Sequence, residues 1–195
     1  MKDAILMLDL GNVIFPLDFN EFDQWLVSCL KTPNDNLEKE FMPLYLGYEK
    51  GSFSTEVFLN RLREELNLEF NNEDFERKWI SCWQRDMPGM AELLDERPSE
   101  LPAYALSNTN ELHMRHFHES KDILKKFDAL FLSHEMKVSK PDSAIYHQVC
   151  AKLSCKPEQV YFFDDRSDNI ASAKQCGYNA YIFESAEQIR EILNF

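Results

Sequence analysis

Short apolar runs, each of which ends at a polar side chain, recur along the chain and predict the strands of a sheet. Continuous apolar runs of this length are typical of parallel strands that helices cover on both faces. Such runs span residues 4–8, 103–106, 129–132, 160–163 and 180–183. The first run leads directly into Asp9. We therefore predict a five-stranded sheet whose first strand presents a carboxylate at its carboxyl end.

Segments with apolar residues at helical spacing separate the predicted strands after Pro88. They predict helices at residues 90–97, 110–126, 142–153, 167–176 and 186–193. Gly177 directly after the fourth of these helices is a common C-terminal signal. Alternation of strand and helix implies a parallel sheet with helices on both faces, which is a Rossmann-like α/β fold.

Residues 17–87 differ from the rest of the chain because they carry little strand signal. Apolar residues recur there at helical spacing in four groups. These groups start near Phe22, Phe41, Val57 and Phe75. The pattern predicts a four-helix insertion between the first strand and the rest of the sheet. We therefore expect a core domain of residues 1–16 and 88–195 and a helical domain of residues 17–87.

Composition and charge narrow the possible functions. The 195 residues suit one domain, or a domain with a modest insertion. A net charge of −13 argues against nucleic acid and anionic membrane surfaces as partners, because both attract basic proteins. The five cysteines include no Cys-x-x-Cys pair, which argues against a disulfide framework or a zinc site and favours a reducing cytoplasm. No apolar stretch approaches the roughly 20 residues that span a bilayer.

Carboxylates at the carboxyl ends of the predicted strands form a candidate metal site. Ligands of open α/β sheets bind beyond this edge, where Asp9 and the pair Asp164-Asp165 are expected. Carboxylates crowded there repel each other unless a cation binds, and oxygen ligands of this type suit Mg²⁺. The alternative for Asp164 and Asp165 is capping of the next helix. Gly11 and Asn12 tolerate unusual backbone angles, so we expect a sharp turn after Asp9.

Two further polar segments follow apolar runs of their own. Ser107 and Asn108 follow the second predicted strand, where a hydroxyl and free backbone N–H groups could hold phosphate oxygens. Lys140 precedes Pro141 and could place a cation on a phosphate. Taken separately, the first segment is also typical of a loop with a helix cap, and a single lysine is usually solvated surface.

The order of these segments, Asp, then Ser, then Lys-Pro, then Asp-Asp, resembles the haloacid dehalogenase (HAD) superfamily over almost the whole chain. Two longer matches, Asp-Leu-Gly-Asn-Val-Ile at residues 9–14 and Leu-Ser-Asn-Thr-Asn at 106–110, are similar to bacterial sugar-phosphate phosphatases, in particular the α-D-glucose-1-phosphate phosphatase type. The resemblance implies that the helical insertion is a cap over the active site. It also implies a phosphatase in which Asp9 becomes phosphorylated and the resulting aspartyl phosphate is then hydrolysed.

The resemblance also implies a role for each candidate residue. The implied Mg²⁺ ligands are Asp9, the backbone carbonyl of Gly11, and Asp165. Asp164 is implied to support these ligands without touching the metal, or to bind it through a water molecule. The implied phosphate-binding residues are Ser107, Asn108 and Lys140. On the insertion, the candidates for the face nearest Asp9 are Tyr45, Tyr48, Glu49 and Lys50. The histidines at 113, 116 and 118 are expected on a surface helix rather than in a metal site.

One position departs from the family pattern. The usual sequence is Asp-x-Asp, whose second carboxylate serves as general acid and base, but here Gly11 has no side chain. This leaves protonation of the leaving group in doubt. A water molecule held by Asp164 or His134 could take the place of the missing carboxylate. We therefore expect sugar 1-phosphates, aryl phosphates or acyl phosphates, whose leaving groups depart readily as anions, to be preferred over sugar 6-phosphates.

These observations predict a Mg²⁺-dependent phosphatase that acts on a small phosphorylated metabolite, with a sugar phosphate such as glucose 1-phosphate as the expected substrate. Two alternatives remain open. A 2-haloacid dehalogenase would share the fold and the aspartate nucleophile but would not need the metal, and a non-catalytic binding protein would fit the missing acid. Nucleic acid and membranes are not expected as partners. We expect a cytoplasmic monomer or homodimer.

Overall fold

The computed structural model describes residues 3–120 and 122–195, with the side chains of residues 118–120 outside the described part. Its strands are β1 (Ile5–Leu8), β2 (Ala103–Ser107), β3 (Ala129–Leu132), β4 (Val160–Asp164) and β5 (Asn179–Ile182). They form one sheet in the order β3-β2-β1-β4-β5, and every pair is parallel. The predicted parallel sheet is confirmed, and the strand ends differ from the prediction by at most one residue.

Strand β1 lies in the centre of the sheet and is buried along its whole length. It pairs with both β2 and β4, and Leu8 lies opposite Phe163 of β4. Ile5 and Met7 pack into the core on one face, whereas Leu6 and Leu8 pack into the core on the other. Successive side chains of a strand point to opposite faces. Because both faces are covered, the run is apolar at every position.

The four helices predicted for residues 17–87 are present. They are α1 (Asn20–Ser28), α2 (Leu37–Glu49), α3 (Thr55–Glu65) and α4 (Asn72–Ile80). Ser54 caps the start of α3, where its hydroxyl accepts a hydrogen bond from the backbone N–H of Val57. Asn71 caps α4 in the same way, with the N–H of Asp74 as donor at 2.7 Å. Side-chain caps of this kind satisfy backbone donors that the first helical turn leaves free.

Six more helices follow in the part of the chain that the structure describes. They are α5 (Met90–Glu96), α6 (Glu111–Ser120), α7 (Ser133–Met136), α8 (Ser143–Leu153), α9 (Ser167–Gln175) and α10 (Ala186–Leu193). Helices α5, α6 and α10 pack on one face of the sheet, and α8 and α9 pack on the other. The predicted helix at 110–126 is in fact α6 followed by a 3-10 turn, Asp122–Lys126. The short helix α7 was not predicted. No helix in the described residues is long and apolar enough to cross a membrane.

The inserted helices have an apolar cluster of their own. Phe22, Phe58, Phe75 and Trp79 are each at most 2% exposed and pack edge to face or stacked on one another. Leu112 of α6 joins this cluster, so the insertion also packs against the part that carries the sheet. The division into a core domain and a helical domain stays a prediction.

His113 of α6 does not lie on a surface, so that part of the prediction is wrong. It is 2% exposed and its ring stacks on Trp79 at 5.1 Å. Its Nδ1 accepts a hydrogen bond from Asn110 Nδ2 at 3.0 Å, and its Nε2 donates to the carbonyl of Trp79 at 3.3 Å. Only the neutral ring satisfies both partners. Burial lowers the pKa of His113 to about 3. His116 is partly buried, and the side chain of His118 lies outside the described residues.

The neutral state of His113 predicts a loss of stability in mild acid. Below pH 6.5 the unfolded chain binds a proton that the folded chain does not bind, so the free energy of unfolding decreases as pH falls. When the pH falls from 7.5 to 5, this residue should lower the free energy of unfolding by about 2 kcal/mol. Urea unfolding at both pH values measures the effect, and His113→Gln should remove it. His147→Gln, which changes an exposed histidine of α8, is the matched control. Equal pH dependence in all three proteins would contradict this account.

Candidate active site

Asp9 continues the central strand β1 into the site. Its backbone N–H donates to the carbonyl of Phe163 at 2.9 Å, which extends the pairing of β1 with β4 by one residue. Its Oδ1 accepts from the N–H of Leu10 at 2.7 Å and lies 2.9 Å from Lys140 Nζ. Burial raises the pKa of Asp9, Lys140 opposes this rise, and the neighbouring carboxylate of Asp164 adds to it. These contacts hold the Asp9 carboxylate in one orientation. Its negative charge is buried next to a second carboxylate, so a nearby cation stabilises it.

The turn after Asp9 is built around Asn12. Asn12 has φ +53°, the left-handed conformation, so the sharp turn predicted at Gly11 and Asn12 is present. Its Oδ1 accepts from the N–H of Leu17 at 2.9 Å, and its Nδ2 donates to Asp165 Oδ2 at 2.9 Å. A Cβ at Gly11 would lie 2.9 Å from Leu17 Cδ1, so a side chain there would require the end of the flexible Leu17 side chain to move. The contact between Asn12 and Asp165 gave no signal in the sequence, since 153 positions separate the two residues.

Lys140 is the buried cation of the site. It is 3% exposed, and its Nζ donates to Asp164 Oδ2 at 2.6 Å and to the carbonyl of Leu106 at 2.8 Å. Together with the contact to Asp9 these bonds use all three ammonium protons. The Asn108 side chain fixes the backbone of Lys140 by a reciprocal pair of hydrogen bonds at 2.8 and 2.9 Å. Burial alone would lower the pKa of Lys140, but the two carboxylates raise it, so the ammonium stays charged.

The two aspartates after β4 have different surroundings. Asp164 is fully buried and accepts hydrogen bonds from Lys140, from Asn169 Nδ2 at 2.9 and 3.0 Å, and from the N–H of Arg166 at 2.9 Å. Asp165 is more exposed and lines the cavity above the site. Nothing in the sequence indicated a role for Asn169. In the structure this amide, on the first turn of α9, holds the carboxylate of Asp164.

Three carboxylates converge at this edge of the sheet. Oxygens of Asp9, Asp164 and Asp165 lie within 4.8 Å of one another. Oxygen donors of this kind, with a single buried ammonium beside them, fit a hard divalent cation such as Mg²⁺. Gly11 lines the same cavity as Asp9 and Asp165. A metal contact by its carbonyl stays a prediction.

The predicted phosphate-binding residues Ser107 and Asn108 are the last residue of β2 and the residue that follows it. Ser107 is 1% exposed, and neither its Oγ nor that of Thr109 has a hydrogen-bond partner among the described residues. A buried hydroxyl without a partner is costly, so a ligand oxygen would satisfy it. The side chain of Asn108 is occupied by the Lys140 backbone, which leaves the backbone N–H of Asn108 for a ligand. The roles of Ser107 and Asn108 stay predictions.

A cavity of about 780 Å³ lies between these strand ends and the inserted helices. The side of the sheet contributes Asp9, Gly11, Asn12, Lys140 and Asp165. Helices α1, α2 and α4 contribute an opposite wall that is mainly apolar. Its residues include Phe22, Leu26, Val27, Phe41, Met42, Tyr45, Leu46, Glu49 and Trp79. A ligand in this cavity would contact charged groups at one end and apolar side chains at the other.

Two of the four candidates on the insertion line this cavity. Tyr45 and Glu49 lie in its wall. Tyr48 instead belongs to the apolar cluster of the insertion, where its hydroxyl lies 2.8 Å from Thr55 Oγ1 and accepts from the N–H of Leu112 at 3.1 Å. Lys50 is exposed and is not among the residues described as lining the cavity. Arg166 also lines the cavity, although the sequence did not indicate it.

Comparison with known sequences and structures finds hydrolases and phosphatases that are similar to this chain. A family model described as haloacid dehalogenase-like hydrolase matches residues 32–177. A D-ribitol-5-phosphate phosphatase of Bacteroides thetaiotaomicron is 25% identical over 96% of this chain and 95% of its own length. A phosphorylated carbohydrates phosphatase of Thermotoga maritima is 27% identical over 72% of this chain and 61% of its own length.

A solved structure has the same fold. It is a HAD-family enzyme of Bacteroides thetaiotaomicron in complex with magnesium and inorganic phosphate, and its TM-score to this chain is 0.80 at 24% identity. The match covers 93% of this chain and 94% of the other. At this level of identity the likeness shows the fold alone, and the functional argument rests on the side chains described above.

Proposed function

The chain belongs to the haloacid dehalogenase-like hydrolases, and from this premise we propose that it is a Mg²⁺-dependent phosphatase acting on a small phosphorylated metabolite through an aspartyl-phosphate intermediate. The observation that carries the proposal is the cluster of Asp9, Asp164 and Asp165 around the buried ammonium of Lys140. Hydrolysis of a phosphate ester needs a nucleophile, cations on the phosphate oxygens and in-line positioning. The cluster can provide the first two.

Each residue has a role in this proposal. Asp9 attacks phosphorus, and its carboxylate is already oriented by Lys140 and Leu10. Lys140 keeps its charge next to Asp9 and stabilises the negative charge of the transferring phosphate, and Ser107 binds a phosphate oxygen. Asp9, the Gly11 carbonyl and Asp165 would hold Mg²⁺, which supplies further positive charge on the phosphate. Asp164 orients the Lys140 ammonium through their buried hydrogen bond.

The substrate we propose is a sugar or polyol phosphate. Two relatives named as phosphatases of D-ribitol 5-phosphate and of phosphorylated carbohydrates support this class. The cavity volume of about 780 Å³ lies within the range of small-molecule sites. The likeness of the segments at 9–14 and 106–110 to α-D-glucose-1-phosphate phosphatases supports glucose 1-phosphate as the first compound to test.

Removal of the metal tests the proposal against a dehalogenase. Hydrolysis of 4-nitrophenyl phosphate should disappear in excess chelator and return when Mg²⁺ is added, because the carboxylates would then repel the phosphate. Asp165→Ala should need far more Mg²⁺ for half-maximal activity, because it removes the most exposed carboxylate of the cluster. Full activity in chelator, or release of halide from a 2-haloacid, would support the dehalogenase instead. No hydrolysis of any ester would favour a binding protein.

A further inference from the structure

The proposed function lacks one component, an acid for the leaving group, because Gly11 has no side chain. The two substitutes suggested by the sequence are poorly placed. His134 is not among the described residues that line the cavity. Asp164 is fully buried, and its two oxygens accept hydrogen bonds from Lys140, Asn169 and the Arg166 backbone. Neither side chain reaches a leaving group directly.

Glu49 presents a carboxyl group to the same cavity from the opposite wall. It is the last residue of α2 and is only 5% exposed. Its Oε1 accepts a hydrogen bond from the hydroxyl of Tyr45 at 2.7 Å. Its Oε2 has no hydrogen-bond partner among the described residues, although Glu49 lines the cavity together with Asp9 and Lys140. One oxygen is therefore fixed, and the other is available to a ligand.

The end of α2 is fastened to the edge of the sheet that carries the phosphate-binding residues. The buried hydroxyl of Ser133 lies 2.6 Å from the carbonyl oxygen of Glu49. The same hydroxyl accepts from the N–H of Thr109 at 2.9 Å. Thr109 is two residues beyond Ser107. Ser133 therefore links the backbone of Glu49 to the segment that directly follows Ser107. Lys137 Nζ adds a hydrogen bond to the carbonyl of Gly51 at 2.8 Å. Glu49 is thus held in place relative to the site.

The surroundings of Glu49 favour the protonated form of its carboxyl group more than water does. Burial raises its pKa. The hydrogen bond from Tyr45 and the charges of Lys140, Arg166 and Lys50 oppose this rise, and the net direction is upward. An acid–base catalyst works best when its pKa lies near the working pH.

We propose that Glu49 is the catalytic acid and base of this enzyme and takes the place of the side chain missing at Gly11. The inference rests on the proposed phosphatase function. In an in-line displacement the leaving oxygen lies on the side of phosphorus opposite the nucleophile. With Asp9 at the strand ends, that side faces the inserted helices, where Glu49 lines the cavity.

The proton balance closes over one turnover. An oxygen of Asp9 forms a bond to phosphorus while the bond from phosphorus to the leaving oxygen breaks, and protonated Glu49 gives its proton to that oxygen. The alcohol departs as a neutral molecule. Glu49, now a carboxylate, takes a proton from a water molecule whose oxygen attacks the phosphorus of the aspartyl phosphate. Inorganic phosphate leaves, Asp9 is restored as a carboxylate, and Glu49 is again protonated.

Glu49→Gln tests the inference with esters of graded leaving-group basicity. The amide has the same shape and can still accept from Tyr45, so the fold should be retained, which thermal unfolding checks. On an alkyl phosphate we expect turnover to fall by about 10²–10⁴-fold. On 4-nitrophenyl phosphate the leaving group needs no proton, but the second step lacks its base. We therefore expect a burst of one nitrophenolate per active site, followed by slow turnover.

A matched control separates proton transfer from a general effect of the substitution. Glu38→Gln makes the same change at an exposed residue of the same helix that also borders the cavity. It should change the rates on all esters by one small factor and show no burst. If Glu49→Gln behaved like this control, with equal loss on every ester and no burst, Glu49 would not be the acid and base. If the parent protein with Mg²⁺ hydrolysed no ester at all, the proposed function itself would be overturned.

Tyr45→Phe gives a second readout through pH. It removes the hydrogen bond that lowers the pKa of Glu49, so Glu49 should hold its proton to higher pH. Because the first step needs protonated Glu49, the alkaline limb of kcat/KM on an alkyl phosphate should move to higher pH in Tyr45→Phe. The limb should be absent in Glu49→Gln. An alkaline limb that is unchanged in both variants would overturn the assignment.

Discussion

Asp9→Asn is expected to abolish turnover while the fold and much of the phosphate binding remain. The carboxylate attacks phosphorus, whereas an amide of the same shape cannot. The loss of kcat should exceed about 10⁴-fold, the order of magnitude typical of removing a nucleophile. Steady-state hydrolysis of 4-nitrophenyl phosphate measures the loss, and calorimetric titration with inorganic phosphate in Mg²⁺ measures the remaining binding.

The control for this variant is Asp35→Asn, which makes the same change at an exposed aspartate before α2. It should leave kcat and KM unchanged. Residual activity of Asp9→Asn within about tenfold of the parent protein, a difference of only about 1.4 kcal/mol in the barrier, would remove Asp9 as the nucleophile.

Lys140→Ala is expected to damage both stability and catalysis. Lys140 is the partner of two carboxylates, Asp9 and the fully buried Asp164. Removing one member of a buried ion pair leaves an uncompensated charge and typically costs about 3–5 kcal/mol. Turnover should fall more than substrate affinity, because a cation on the transferring phosphate acts most strongly where charge shifts in the transition state. Urea unfolding and the separate values of kcat and KM measure the two effects.

A double variant isolates the cause of the instability. In Lys140→Met with Asp164→Asn the buried carboxylate is neutralised together with its partner, so part of the lost stability should return relative to Lys140→Met alone. Lys125→Ala is the control, because Lys125 pairs with Asp122 on the exposed surface, where water screens the pair and its contribution to stability is small. A loss no larger than that of Lys125→Ala would mean that Lys140 does not hold the buried charges.

Much of the fold could be predicted from local patterns. Continuous apolar runs indicated the five strands because a parallel strand buried on both faces needs an apolar residue at every position, as residues 5–8 show. Apolar residues at helical spacing indicated the four inserted helices, because a helix that buries one face needs apolar residues at that spacing. The helix at 110–126 was wrong in detail, and α7 was missed, because a four-residue helix is too short to leave a periodic signal.

The candidate site was predictable only in part. Asp9, Asp164 and Asp165 come together in the structure because the carboxyl ends of neighbouring parallel strands share one edge. The loop between α7 and α8 brings Lys140 to the same edge. The spacing of residues along the chain gave no sign that Asn169 holds Asp164 or that Asn12 holds Asp165. These contacts depend on side-chain positions that only the packing of distant segments defines.

By itself the sequence determined the order of the elements, the carboxylates at the strand ends and the absence of a side chain at Gly11. Each of these is a local property, because burial and strand ends impose residue types on neighbouring positions. The tertiary structure alone decided that His113 is buried and neutral and that Lys140 joins two carboxylates. It also decided which of the four candidates on the insertion, among them Glu49, face the cavity of Asp9. The physical reason is that burial, pKa and access to a ligand depend on which segments pack together, and residues far apart in the chain determine that packing.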